Sequence, residues 1–151
     1  MKQRLPIILL ALVGASLFAL SVQAGRWWSV EAFELGPFGS RLCDASGECR
    51  PLGLGVTDVR WTRFGMATWA AGMIAMAVLV VIAGAVAARR TPRLVAKMAL
   101  VAVATALLAG AGFIALRPPL QGLHVDRGLP MFALAIVLGA ATALLVLRRR
   151  A

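Results

Sequence analysis

Apolar residues gather in four long, nearly unbroken runs at about 5–24, 64–88, 96–116 and 129–147. Each run is close to the ~20 residues that carry a helix across the hydrocarbon core of a bilayer. Polar residues are left to three connections: a long one at 25–63, a short basic turn Arg89-Arg90-Thr91-Pro92-Arg93, and a proline-containing stretch at 117–128. Pro92 prevents a continuous helix across the basic turn, so the second and third runs form an antiparallel hairpin. The pattern predicts a mainly α membrane protein, a single four-transmembrane-helix bundle over residues 1–151. Composition agrees: 61% of residues are hydrophobic and 15% charged, against roughly 25% charged in an average soluble domain.

The formal charge of +10 takes its meaning from where the charges lie. With the N-terminus in the cytoplasm, nine basic groups and no acid fall inside: Lys2, Arg4, Arg89, Arg90, Arg93, Lys97, Arg148, Arg149 and Arg150. Seven arginines and all six acids fall outside. This is the positive-inside distribution, and it removes the need for a nucleic-acid partner. It predicts a multi-pass protein of a plasma membrane or bacterial inner membrane with both termini cytoplasmic. The lipid bilayer is the first partner implied.

The first run has a second reading. Met1-Lys2-Gln3-Arg4, an apolar stretch and Val22-Gln23-Ala24 before Gly25 also fit a cleaved signal peptide. Its apolar length and the four-residue spacing of Ala11, Ala15 and Ala19 favour a retained span packed on another helix. Ala67, Ala71 and Ala75, then Ala102, Ala106 and Gly110, repeat that spacing. In the fourth run Ala135, Gly139 and Ala143 form the stripe most suited to close helix packing.

The loop 25–63 reads as β-rich and forms a small antiparallel sheet. One extended piece runs from Trp27 to Leu35 until Gly36-Pro37 breaks it; a second enters Cys43, and a third leaves Cys49 before Gly53 and Gly55. Cys43 and Cys49 fall where this topology is oxidising, and the turn pair Ser46-Gly47 lies between them. A disulfide closing so short a loop contributes about 2–2.5 kcal/mol in the chain-entropy model. A redox-active pair is the alternative, although Cys-x5-Cys lacks the Cys-x-x-Cys geometry that lowers a thiol pKa. Trp61 and Trp69 read as interfacial anchors.

No catalytic constellation is present. Pumps and ion-coupled transporters place ionisable groups in the hydrocarbon, and these runs carry none away from their ends. The single His124 supplies too few ligands for a zinc or haem site and reads as a solvated or loop-bracing residue. Neither cofactor, metal nor small-molecule substrate is expected.

Trp28-Ser29-Val30-Glu31-Ala32-Phe33 after the first span, the pair Cys43 and Cys49, and Arg63 before the second span resemble the claudin and peripheral myelin protein superfamily. The resemblance implies four helices with both termini inside and a first outer loop folded as a sheet. It implies that Trp28, or Trp27 in an alignment shifted by one, tucks against the outer end of the bundle, and that Arg63 contacts the sheet. Its pore-forming members use loop charges, for which Glu31, Glu34, Asp44 and Asp58 are the candidates here. The sequence departs from the family where Gly36-Pro37-Phe38-Gly39 replaces Gly-Leu-Trp before the first cysteine, and it ends in Arg148-Arg149-Arg150-Ala151. The function expected is non-enzymatic: structural assembly, adhesion or membrane contact through the stapled loop, as a homo-oligomer or with another membrane protein. The alternative is an accessory subunit or assembly factor of a larger membrane complex.

Overall fold

A computed structural model describes residues 4–24, 26–44, 46–52 and 58–148. Lys2, Arg149 and Arg150, Gly25 at the potential cleavage point, and Gly53 and Gly55 lie outside the described residues. The chain runs α1 (Arg4–Ala19), a π-helical turn (Leu20–Ala24), β1 (Trp28–Val30), β2 (Phe33–Gly36), β3 (Gly39–Cys43), β4 (Cys49–Leu52), α2 (Val59–Ala87), α3 (Arg93–Ala115), β5 (His124–Val125) and α4 (Gly128–Arg148). Four helices, α1 with its π turn being the first, are long and apolar enough to cross a membrane. They pack as a bundle in which each helix touches its neighbours in the ring α1, α2, α3, α4. The protein is a four-pass membrane protein.

The bundle closes on small residues. Ala11, Ala75, Ala99, Ala106, Ala135 and Ala143 are buried, which lets backbones approach where lipid gives no hydrophobic drive for association. A Cβ on Gly139 would sit 3.0 Å from Val103 and 3.3 Å from Phe18, so α4 meets α3 and α1 there. Not every stripe faces inward: Ala67 is exposed, and Ala19 and Ala102 are half-buried.

At 29 residues, α2 is about 44 Å long against a hydrocarbon core of ~30 Å. It starts at Val59, five residues before the apolar run predicted at 64, so it has length to spare for first turns that carry Arg60 and Arg63. Asp58 caps it, its Oδ1 accepting from the Arg60 amide at 2.9 Å. At its other end Arg89 takes the left-handed conformation (φ 59°) and the Arg90 amide reaches back to the Ala85 carbonyl, closing the turn before Pro92.

The sheet has five antiparallel strands in the order β4-β3-β2-β1-β5. Two features differ from the sequence reading. Trp27 to Leu35 is two strands, because Glu31 adopts φ 48° and turns the chain between β1 and β2. The sheet also draws on both connections: β5, from the short connection, pairs with β1 through Trp28 opposite Val125 and Ser29 opposite His124. The prolines of Arg117-Pro118-Pro119 disfavour helix there, and the turn at Gly122 delivers the chain to the open edge of β1.

Candidate functional site

Alternation along the strands gives the sheet two unlike faces. One row carries Val125, Trp28, Leu35 and Ser40 in register, and the next carries Val30, Phe33, Leu42 and Arg50. The opposite face carries His124, Ser29, Glu34, Arg41 and Pro51. Trp28 and Leu35 are buried, whereas Leu42 is 40% and Val125 60% exposed. The apolar rows are therefore anchored at the middle of the sheet and open towards its edges.

The anchor is aromatic. Trp27 packs on Phe132 of α4 (ring centroids 4.7 Å apart) and Phe113 of α3 (5.5 Å), Trp28 on Phe113 (5.3 Å), and Trp61 of α2 stacks on Phe113 at 4.5 Å. Phe18 of α1 meets Phe132 edge-on at 5.9 Å. Every helix thus contributes a ring to the floor beneath β1, each such pair adding about 0.5–1.5 kcal/mol beyond simple burial. Both tryptophans proposed for this place are buried. The Trp27 indole donates to the Ser21 carbonyl at 2.9 Å, inside the π turn, while Trp28 Nε1 is buried with no hydrogen-bond partner among the described residues. Trp61, expected as an interfacial anchor, is 3% exposed and donates to the Phe113 carbonyl at 3.0 Å. Its position on the first turns of α2, beneath the sheet, turns it inward.

The second tie is ionic. Arg26 pairs with Glu34 of β2 and, through Nε, with Asp126 Oδ2 at 2.6 Å. The hydrogen bond that Arg26 donates to Glu34 raises the Arg26 pKa most, against the opposing effect of burial, and the charges of Asp126 and Glu34 add to the rise. The Asp126 amide donates to the Trp27 carbonyl and the Gly128 amide to the Arg26 carbonyl, each at 2.9 Å. One guanidinium so joins the end of α1, the sheet and the start of α4. Arg63, to which the resemblance assigns contact with the sheet, is exposed on α2, and among the described residues the ion pair to the sheet is that of Arg26 with Glu34. Opposite charges directly beside the ends of the first and last apolar runs were the available signal for Arg26 and Asp126. Aromatic residues at the loop-side ends of all four runs were the signal for Phe18, Phe113 and Phe132.

Cys43 and Cys49 form a disulfide (S–S 2.01 Å) between directly opposed positions of β3 and β4. The turn between them is organised by Asp44, whose Oδ1 accepts from the Ser46 amide (3.0 Å) and hydroxyl and from the Glu48 amide (2.9 Å). These bonds, the Ser46 hydroxyl first, hold the Asp44 carboxyl below its ordinary pKa. Glu34 lies close enough to both sulfurs to complete a metal-ligand group, but the sulfurs are bonded to each other. Of the four candidate pore charges, Glu34, Asp44 and Asp58 each hold local structure, and Glu31 sits exposed in the β1–β2 turn. They are spread along the sheet and the start of α2 rather than brought together. His124 is exposed, engaged through its backbone with Ser29.

The architecture is claudin-like: four apolar helices capped at one end by a small, disulfide-stapled antiparallel sheet. No protein-family model matches the chain, and no curated protein matches it in sequence.

Proposed function

We propose that this protein is a non-enzymatic membrane assembly protein of the claudin-like kind, whose sheet lies outside the cytoplasmic membrane and holds a contact surface for a second copy or another membrane protein. The observation that carries the reading is the double anchoring of the sheet. A strand from the second connection, an arginine bridging three segments and a ring from every helix fix its middle, while Leu42 and Val125 stay exposed at its margins. Exposed apolar side chains on a rigid support cost little entropy when a partner covers them. Edge pairing is not the mode of contact: Pro51, which has no N–H, sits in edge strand β4, and the other edge, β5, has two residues, both devices that discourage strand addition. Contact through the sheet's face and hairpin tip remains.

The charge distribution supports the orientation, and the disulfide fits an oxidising side. The dense packing of α1 and its π turn, with Phe18 and Val22 fully buried, supports their retention as a span. In this reading no residue has a catalytic role.

An accessory-subunit role is favoured by a separate feature. A shallow groove of about 580 Å³ runs between α2 and α3, its lining including Ala67, Ala70, Ala71 and Ala102 among larger apolar residues, and the small ones admit a partner helix in lipid. Photo-crosslinking in native membranes separates the two. A benzophenone side chain at Leu42 gives discrete protein adducts if the sheet is the contact, and one at Ala70 does so if the groove is. Adducts from Ala70 with none from Leu42 would refute assembly through the sheet.

A further inference from the structure

Beneath the β2–β3 turn, where the sheet overhangs the first turns of α2, lies a cleft of about 560 Å³, within the range of sites that hold small organic ligands. Its apolar lining includes Phe38, Trp61, Met66, Trp69 and Phe113, and Arg41 stands among its polar members. Trp61 and Trp69 are eight residues apart on α2, so the cleft follows the helix for about 12 Å. Both indole N–H groups are committed, Trp61 to the Phe113 carbonyl and Trp69 to Gln23 Oε1 at 2.7 Å. Trp69, half-buried, offers an occupant a carbon face, and Trp61, 3% exposed, closes the inner end of the cleft, which suits a hydrocarbon chain and not a polar ligand. Phe38, 56% exposed with its ring 5.7 Å from Trp69, is otherwise a large aromatic left in the open; as a cleft wall it has a use.

The charge is as specific as the lining. Glu34, the cross-strand neighbour of Arg41, gives its carboxylate to Arg26, and Arg41 is in no ion pair among the described residues. No acid lines the cleft. A guanidinium in no ion pair among the described residues, beside a carbon-lined slot on a membrane-spanning helix, is complementary to a phosphate that carries an acyl chain.

We propose that this cleft binds an anionic glycerophospholipid from the leaflet on the sheet's side, one acyl chain lying along α2 between Trp61 and Trp69 and the phosphate at Arg41. The site is distinct from the exposed rows proposed above for protein contact and stands or falls without them.

The test uses the full chain in nanodiscs containing phosphatidylglycerol with a diazirine near the glycerol end of one acyl chain, compared with the same probe on phosphatidylcholine. Labelling is expected to concentrate on Phe38, Met66 and Trp69 and to favour phosphatidylglycerol. Arg41→Gln should cut phosphatidylglycerol labelling there about tenfold and leave the phosphatidylcholine level unchanged. Met66→Trp, at a 63% exposed position, should block the slot to both lipids. Both variants should keep the disulfide and the wild-type melting temperature, which shows that they fold. Labelling spread evenly over lipid-facing positions such as Val101 and Leu108, or headgroup preference surviving in Arg41→Gln, would overturn the proposal. Competition by inorganic phosphate alone would also overturn it, since the chain would then play no part.

Discussion

Trp27 and Trp28 are adjacent, both buried and similarly packed, yet only one has its indole N–H satisfied. Replacing Trp27 by Phe removes the donor to the Ser21 carbonyl; replacing Trp28 by Phe removes a group with no hydrogen-bond partner among the described residues. Both changes lose ring contact, so Trp27→Phe should cost about 1–2 kcal/mol more than Trp28→Phe, read as the difference in thermal unfolding in one detergent. Equal losses would mean that packing alone decides. Gly128 is a second pressure point, because a Cβ there would lie 2.5 Å from the Arg26 carbonyl oxygen and 2.8 Å from Trp27. Gly128→Ala should destabilise by about 1–3 kcal/mol, whereas Gly84→Ala, with nothing within 4 Å, should be close to neutral; unfolding of the pair in parallel checks this. A tryptophan beside the first span was legible because the residue type is scarce and well placed. Gly128 was not, since close approach between residues a hundred positions apart leaves no trace in local sequence.

The stapled hairpin β3–β4 combines two local devices. Replacing both Cys43 and Cys49 by Ser should destabilise the fold by about 2 kcal/mol, measured without reductant, and reductant should bring the wild type to the same level. Asp44 adds a pH dependence of definite sign. Its pKa is depressed in the folded hairpin, so its contribution is fully present above the ordinary ~3.9 and disappears only as pH falls through the lower folded value. Amide resonances of Ser46 and Glu48 should therefore titrate with a midpoint below the ordinary carboxylate range; a midpoint at or above it would show that the turn is not held by that carboxylate. The staple was legible from cysteine spacing, turn residues and inferred compartment together. The extent of the sheet was not. Strand β5 is two residues long with no alternation to detect, the break at Glu31 rests on a left-handed conformation that a glutamate does not advertise, and α2 begins among polar residues that hydropathy reads as loop.

At the scale of the whole molecule the bundle was the most legible part, because four bilayer-length apolar runs admit few other outcomes. What hydropathy could not supply is which face of each helix turns inward, and so Ala75 and Ala106 proved central while Ala67 faces outward. Since Phe18 and Val22 fill the bundle beside Phe132 and Gly72, the intact mass of the membrane-purified protein should include α1, and loss of the first 24 residues would remove one wall of the core. The claim on which the functional account rests is assembly through the anchored sheet, and native mass spectrometry of the protein released from nanodiscs of its own membrane tests it most directly. A discrete oligomer or a stoichiometric membrane partner is expected, lost on substituting Leu42→Arg while the disulfide and melting temperature are kept. A strictly monomeric, partner-free protein, or complexes indifferent to Leu42→Arg, would contradict it.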